Sequence, residues 1–173
     1  MGTILYSCSI GFCSETNMAS LKEAFILVSS KFKILSLNHQ QRLAIEKLVS
    51  EKKNVFVNLP TSFGKSLIYQ ALPLVFDHTI NLSGHIVVVV SLLITLMEDQ
   101  VKQLQNYGIR AVNISFQADI NWSRIEMGEY SIVFGSPRAW LMNDRWRTML
   151  CNDVYSRNLC AVAIDEAHVI KQW

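Results

Sequence analysis

The chain of 173 residues has few of the features that mark disordered, secreted or membrane-spanning proteins. Charged residues make up only 17% of it and half of the residues are apolar, which argues against disorder over most of the length and for one domain with a full core. The longest apolar run, residues 86–96, is interrupted by Ser91 and Thr95 and is too short to span a bilayer. The net charge of +2 indicates no polyanionic partner by itself, so a nucleic-acid surface would have to be local.

Cysteine is scarce, and its spacing matches no metal or disulfide framework. The four cysteines are Cys8, Cys13, Cys151 and Cys160. They form no C-x-x-C pair and have no histidine cluster nearby. This pattern predicts free thiols in a reducing, intracellular compartment rather than a secreted protein.

The first 17 residues are mildly apolar but have no basic stretch ahead of the apolar part. This argues against a secretory signal peptide. We therefore expect residues 1–17 to be a disordered leader and residues 18–173 to form the folded domain.

Apolar spacing beyond the leader predicts alternating helices and strands. Helices are predicted over residues 18–33, 40–50, 66–72, 95–107 and 122–127, and from Pro137 onward. Strands are predicted within residues 55–59, 85–90, 109–114, 130–136 and 159–165. Strands without polar alternation, separated by helices, favour an α/β fold with a doubly wound, mostly parallel sheet flanked by helices.

The stretch "NLPTSFGKSLIYQ", residues 58–70, contains Gly-Lys-Ser, the last three residues of a phosphate-loop pattern. Leu59 occupies the position where the first glycine of that pattern is expected. A predicted strand precedes the loop and a helix follows it, and a helix N-terminus favours an anion. Lys65 can place a charge near the β- and γ-phosphates, and the Ser66 hydroxyl can ligate Mg²⁺, while Gly64 permits close backbone approach. An exposed turn with a surface lysine is the alternative for this stretch alone.

The stretch "AVAIDEAH" places Asp165 and Glu166 at the end of an apolar strand. Carboxyl ends of parallel strands share one edge of a sheet, so the pair is expected beside the Lys65 loop, across neighbouring strand tips. An aspartate there suits Mg²⁺, and a following glutamate can orient or deprotonate a water. An acidic helix N-terminus is the alternative.

With these motifs, the chain resembles a known family. "LPTSFGKS" and "DEAH" resemble motifs I and II of superfamily-two helicases, in which Pro-Thr replaces the early glycine. Over roughly residues 20–173, "SLLITLMEDQVKQLQNYGI", "GKSLIYQ" and "AIDEAHVIKQW" are similar to RecQ-family DNA helicases. The resemblance implies a RecA-like P-loop NTPase domain, the ATP-binding lobe of a 3'–5' DNA helicase that uses ATP and Mg²⁺. It also implies single-stranded or forked DNA as partner, a role in DNA repair or recombination, and a nuclear location, or a cytoplasmic one in a prokaryote.

The resemblance also implies roles for particular residues. Nucleotide contacts are expected from Gln41, which would read adenine, and from Pro60, Thr61, Ser62, Phe63, Gly64, Lys65 and Ser66. Ser66 and Asp165 would hold Mg²⁺, Glu166 would activate water, and His168 would couple nucleotide state to a partner lobe. The expected catalytic set has four members, which are Lys65, Asp165, Glu166 and His168.

DNA contact is a further expectation. The loops after the strands offer Ser91, Thr95, Ser136 and Arg138 to the phosphates of a single strand, and Trp173 begins a loop that would sense DNA. Solvated charge is the alternative for Arg138. By contrast, we expect Trp122, Trp140 and Trp146 to pack in the core, and Lys102 and Arg110 to be solvated surface charges.

Four positions depart from the family pattern. Ser62 replaces the usual glycine, Leu92 the usual proline, Asn38 the usual arginine and Arg138 the usual acidic residue. Since the sequence stops at Trp173, with no second RecA-like lobe, we expect weak nucleotide binding, poor hydrolysis and no unwinding by this chain alone. The alternatives are a P-loop kinase or GTPase-like switch, for which no N-K-x-D motif is present, and a non-catalytic module that binds nucleotide, DNA or a partner.

Overall fold

The computed structural model describes residues 2–8, 18–60, 63–115 and 121–166. Within them, one sheet of six strands has the order β2-β1-β6-β3-β5-β4. The strands are β1 (Gly2–Ser7), β2 (Val55–Asn58), β3 (Ile86–Val90), β4 (Ala111–Asn113), β5 (Ile132–Gly135) and β6 (Leu159–Ile164). Strands β6, β3, β5 and β4 run parallel to one another, whereas β1 is antiparallel to both β2 and β6.

Eight helices among the described residues cover the two faces of this sheet. They are α1 (Met18–Lys31), α2 (His39–Val49), α3 (Lys65–Ile80), α4 (Ile94–Asn106), α5 (Trp122–Glu126), α6 (Pro137–Met142), α7 (Asp144–Leu150) and α8 (Asp153–Asn158). In β3, Val87 and Val89 pack into the core with α1 to α4, whereas Ile86 and Val88 pack with α5 to α8. Because successive strand residues point to opposite faces, the apolar run of β3 is buried on both sides. The predicted doubly wound α/β architecture is therefore confirmed.

The N-terminal prediction is wrong where the structure describes it. Gly2–Ser7 is a strand inside the sheet, with Leu5 fully buried, rather than a disordered leader. Thr3 and Ile4 are β-branched and precede Leu5 and Tyr6, a composition that favours strands. The rest of the expected leader, apart from Cys8, lies outside the described residues.

Several smaller expectations are also settled by the structure. Trp140 and Trp146 are buried, and Trp122 stacks on Trp146 with ring centroids 4.8 Å apart, so the prediction of core tryptophans is confirmed. Cys8, Cys151 and Cys160 are free thiols, as predicted, and Cys13 lies outside the described residues. Across the described ranges, no helix combines the length and apolar character needed to cross a membrane.

Candidate nucleotide site

The predicted phosphate loop runs from β2 into α3, although Thr61 and Ser62 lie outside the described residues. Phe63 donates its backbone N–H to the Pro60 carbonyl at 3.1 Å, and both residues are exposed. Gly64 then caps α3 with a φ of +67°, in the left-handed region that favours glycine. A Cβ at this position would lie 2.8 Å from the Gln41 amide nitrogen, so the end of the Gln41 side chain would have to shift.

Lys65 begins α3 and is buried, with 5% of its surface exposed. Its ammonium donates to the Leu59 carbonyl at 2.8 Å and forms no ion pair with a carboxylate among the described residues. Buried charges in proteins are normally paired. A buried ammonium facing a neutral carbonyl is therefore suited to an incoming anion.

Asp165 follows β6 and is also buried, with 5% exposed. Three donors hold its carboxylate. The Thr3 hydroxyl and the Glu166 backbone N–H donate to Oδ1 at 2.8 and 3.1 Å, and the Tyr69 hydroxyl donates to Oδ2 at 3.0 Å. The carboxylate is therefore fixed in one orientation.

Tyr69 connects the two predicted halves of the site. It lies on α3, three residues after Ser66, and its hydroxyl is 3.0 Å from the Asp165 carboxylate. Helix α3 thus carries both the predicted Mg²⁺ ligand Ser66 and a residue in contact with Asp165. The strands that precede Ser66 and Asp165, β2 and β6, are not adjacent as expected, because β1 lies between them.

Burial, and then the negative charge of Asp165, raise the pKa of Tyr69 well above its ordinary value, so its hydroxyl stays a donor. The same hydroxyl lies 2.8 Å from the Gln100 side-chain oxygen, which also accepts from Gln70 at 3.1 Å. Because a hydroxyl carries one proton, Tyr69 shares it between the Gln100 oxygen and the Asp165 carboxylate. Sequence reasoning missed Thr3, Tyr69 and Gln100. Tyr69 had a signal, since it lies three and four residues after Ser66 and Lys65 on one helix face.

Glu166 adopts a φ of +54°, in the left-handed region that is uncommon for residues other than glycine. Such backbone conformations cluster at functional sites. The side chain lies beside Asp165 at the end of β6 and lines a cleft of about 620 Å³. The turn therefore brings both carboxylates to the same sheet edge, as the sequence predicts.

Gln41, the predicted adenine-reading residue, is buried against the phosphate loop. Its side-chain nitrogen donates to the carbonyls of Gly64 and Phe63 at 3.0 and 3.3 Å, and its oxygen accepts from the Asn38 backbone in a capping box. Gln41 and Asn38 also line a groove of about 370 Å³ with Phe63. In this structure, Gln41 therefore joins α2 to the loop.

The predicted DNA contacts lie at the carboxyl ends of β3 and β5, which are paired strands. Thr95 and Arg138 are exposed at the starts of α4 and α6. The Ser136 hydroxyl instead caps α6 by accepting from Ala139 at 3.2 Å. Ser91 is 3% exposed and its hydroxyl has no partner among the described residues, so it is not the surface hydroxyl that was expected.

The cleft of about 620 Å³ joins the end of β3, α6 and the end of β6, so Arg138 and Asp165 line the same space. Most of its lining is apolar, with Leu141 and Met142 on one side. The predicted roles of His168 and Trp173 fall outside the described residues. The structure thus places Asp165, Glu166 and Arg138 in one cleft, whereas Lys65 and Ser66 lie at the start of α3 and do not line it.

The donor set suits Mg²⁺ that arrives with a triphosphate. Within residues 2–8, 18–60, 63–115 and 121–166, no three or more His, Cys, Asp or Glu side chains are grouped to hold a metal. The hydroxyl of Ser66 and the carboxylate of Asp165 are hard oxygen ligands. Mg²⁺ is commonly bound through one or two carboxylates together with substrate phosphates, so these residues fit the metal.

An α/β fold with a lysine loop before a helix and an aspartate at a strand end is typical of nucleotide-binding domains. The model of the DEAD/DEAH box helicase family matches residues 38–173, and the chain belongs to that family. Its fold is accordingly the RecA-like fold of a helicase domain.

More narrowly, the chain is similar to RecQ-family helicases. It is 33% identical over 126 residues, 70% of the chain, to ATP-dependent DNA helicase RecQ of Haemophilus influenzae. It is 32% identical over 158 residues, 88% of the chain, to ATP-dependent DNA helicase RecQ of Bacillus subtilis. These stretches cover 18% and 25% of the two relatives, so the chain spans a quarter or less of their length.

Proposed function

We propose that this chain is the ATP-binding lobe of a RecQ-like, ATP-dependent 3'–5' DNA helicase. In the complete protein, ATP hydrolysis here would be coupled to movement along single-stranded DNA and would need a second RecA-like lobe. The family membership and the relatives, which are named DNA helicases, support this assignment. The same likeness supports an intracellular location.

The observation that carries the proposal is the buried Lys65 ammonium, which faces the Leu59 carbonyl instead of a carboxylate. We assign the β- and γ-phosphates of ATP to Lys65 and to the backbone N–H groups at the start of α3. Ser66 and Asp165 would hold Mg²⁺, which when bound neutralises charge on the phosphate oxygens. Glu166 would orient or deprotonate the attacking water. Thr61, Ser62 and His168 keep their predicted roles.

Replacing Lys65 with alanine tests this assignment. We expect Lys65→Ala to weaken binding of a fluorescent ATP analogue by about tenfold to a hundredfold, because a charge-assisted hydrogen bond to phosphate is lost. Lys102→Ala is the matched control, since Lys102 is exposed on α4 and is expected to leave binding unchanged. Circular dichroism would verify that both variants fold.

Equal analogue binding by Lys65→Ala and the unmodified chain would contradict a nucleotide site at this loop. The cleft that reaches from Asp165 to the exposed Arg138 favours one alternative, a non-catalytic helicase lobe that binds DNA or a partner. That alternative predicts single-stranded DNA binding without any effect of Lys65→Ala or of nucleotide.

A further inference from the structure

Strand β1 lies between the two strands that lead into the candidate nucleotide site. It is antiparallel to both, with Thr3 opposite Val57 of β2 and Ile4 opposite Ile164 of β6. Because Ile4 faces Ile164, Thr3 lies opposite the next residue, Asp165. The first strand of the chain therefore brings a hydroxyl to the predicted metal-binding carboxylate.

The contact between Thr3 and Asp165 is short and buried. The Thr3 hydroxyl donates to Asp165 Oδ1 at 2.8 Å, and Thr3 is 1% exposed. A buried carboxylate depends on protein donors because water cannot supply them. The two residues are separated by 162 positions, and Thr3 lies outside residues 38–173, which match the helicase family. The family motifs therefore do not account for this contact.

The hydrogen-bond donors among the described residues leave one lone-pair position of the Asp165 carboxylate unoccupied. A carboxylate has about four lone-pair positions. Thr3 and the Glu166 N–H take both positions on Oδ1, and Tyr69 takes one on Oδ2. Among the described residues, the position that remains is on Oδ2, the oxygen that faces Tyr69 of α3, and the same helix carries Ser66.

We propose that Thr3 is a positioning residue: its hydroxyl holds Asp165 so that Oδ2 faces Mg²⁺ or a metal-bound water. This proposal rests on the proposed function, since it assigns a metal to Asp165. Without the hydroxyl, Oδ1 keeps only the N–H of Glu166, and the carboxylate is free to rotate about its side-chain bonds. Metal binding then has to include the cost of ordering that side chain.

The test uses the whole chain and measures how Mg²⁺ concentration affects binding of a fluorescent ATP analogue. Thr3→Val removes the hydroxyl and keeps the β-branched shape. We expect it to raise the half-maximal Mg²⁺ concentration by about tenfold, as for a lost hydrogen bond to a charged group. Binding of the analogue without Mg²⁺ should not change.

Two further variants separate positioning from general stability. Thr3→Ser keeps the hydroxyl and is expected to retain the Mg²⁺ dependence of the unmodified chain. Ser7→Ala, at the other end of β1, removes a hydroxyl that donates to the Leu48 carbonyl and should leave the Mg²⁺ dependence unchanged. If Thr3→Val does not fold, Thr3→Cys carries the same test because a thiol is a weak donor.

The outcomes distinguish the two proposals. Normal Mg²⁺ dependence in Thr3→Val, or an equal loss in Thr3→Ser, would overturn the role of the Thr3 hydroxyl while leaving the nucleotide site intact. If the unmodified chain binds the analogue without any effect of Mg²⁺, the metal assignment of the proposed function fails, and the role of Thr3 fails with it.

Discussion

Gly64 shows how much the candidate site depends on a single residue. Its positive φ excludes most side chains, and a Cβ there would meet the Gln41 amide at 2.8 Å. Gln41 in turn donates to the Gly64 and Phe63 carbonyls. The glycine therefore fixes both the start of α3 and the contact between α2 and the loop.

We expect Gly64→Ala to lower the free energy of unfolding by about 1–2 kcal/mol from backbone strain, and to weaken ATP binding because Gln41 is displaced. Gly84→Ala is the matched control, since Gly84 has a φ of +104° but a Cβ there would meet no described atom within 4 Å. It should share the strain and keep ATP affinity. Urea unfolding and analogue titration measure the two effects. An affinity in Gly64→Ala equal to that in Gly84→Ala would contradict a role for the loop geometry in binding.

The residues that the sequence identified and those that it missed differ in a physical way. Lys65, Ser66 and Asp165 can be predicted as site residues because binding of phosphate and Mg²⁺ would restrict the residue types near a strand end. Thr3 and Tyr69 act through the carboxylate, and many residue types could donate such a hydrogen bond. Their part in the site follows only from strand order and helix packing.

At the scale of elements, β1 is the largest difference between expectation and structure. Short segments of mildly apolar residues carry little periodicity, so they give a weak strand signal. Pairing with β2 on one side and β6 on the other satisfies its backbone groups, which no local pattern predicts. Residues far apart in the chain therefore determine that it is a strand.

The position of β1 leads to a stability prediction. Leu5 is fully buried in the core with α1 to α4, so Leu5→Ala should lower the free energy of unfolding by about 2–5 kcal/mol. Tyr6→Ala, at an exposed position of the same strand, should cost much less. Equal, small effects of both substitutions in urea unfolding would show that this segment is not part of the core in solution.

Helix α3 shows a second limit of sequence reasoning. Its predicted end near Leu72 lies just before Pro73, and a proline usually ends a helix. The helix continues to Ile80 with Pro73 inside it, and Leu72, Val75 and Phe76 are buried around that point. Here tertiary packing outweighs a local signal.

Helices α7 and α8 were also missed, although Asn143 and Asn152 cap them, and an asparagine cap is a recognisable start signal.

For the whole molecule, the parallel strands explain why the functional candidates meet. Their carboxyl ends share one edge, to which β3, β5 and β6 bring Ser91, Ser136 and Asp165. This much followed from the alternation of strands and helices. The insertion of β1 between β2 and β6 did not, and it separates strands that were expected to be neighbours. Tyr69 of α3, the helix that begins with Lys65 and Ser66, nonetheless contacts Asp165.

If the proposed site is right, Lys65, Ser66 and Asp165 bind one magnesium–triphosphate group together. Calorimetric titration of ATP in excess Mg²⁺ and in excess chelator, with Asp165→Asn beside the unmodified chain, measures this joint binding. We expect Mg²⁺ to strengthen ATP binding by the unmodified chain, and Asp165→Asn to lose this gain while keeping its metal-free affinity. A full Mg²⁺ gain in folded Asp165→Asn would show that Asp165 does not hold the metal.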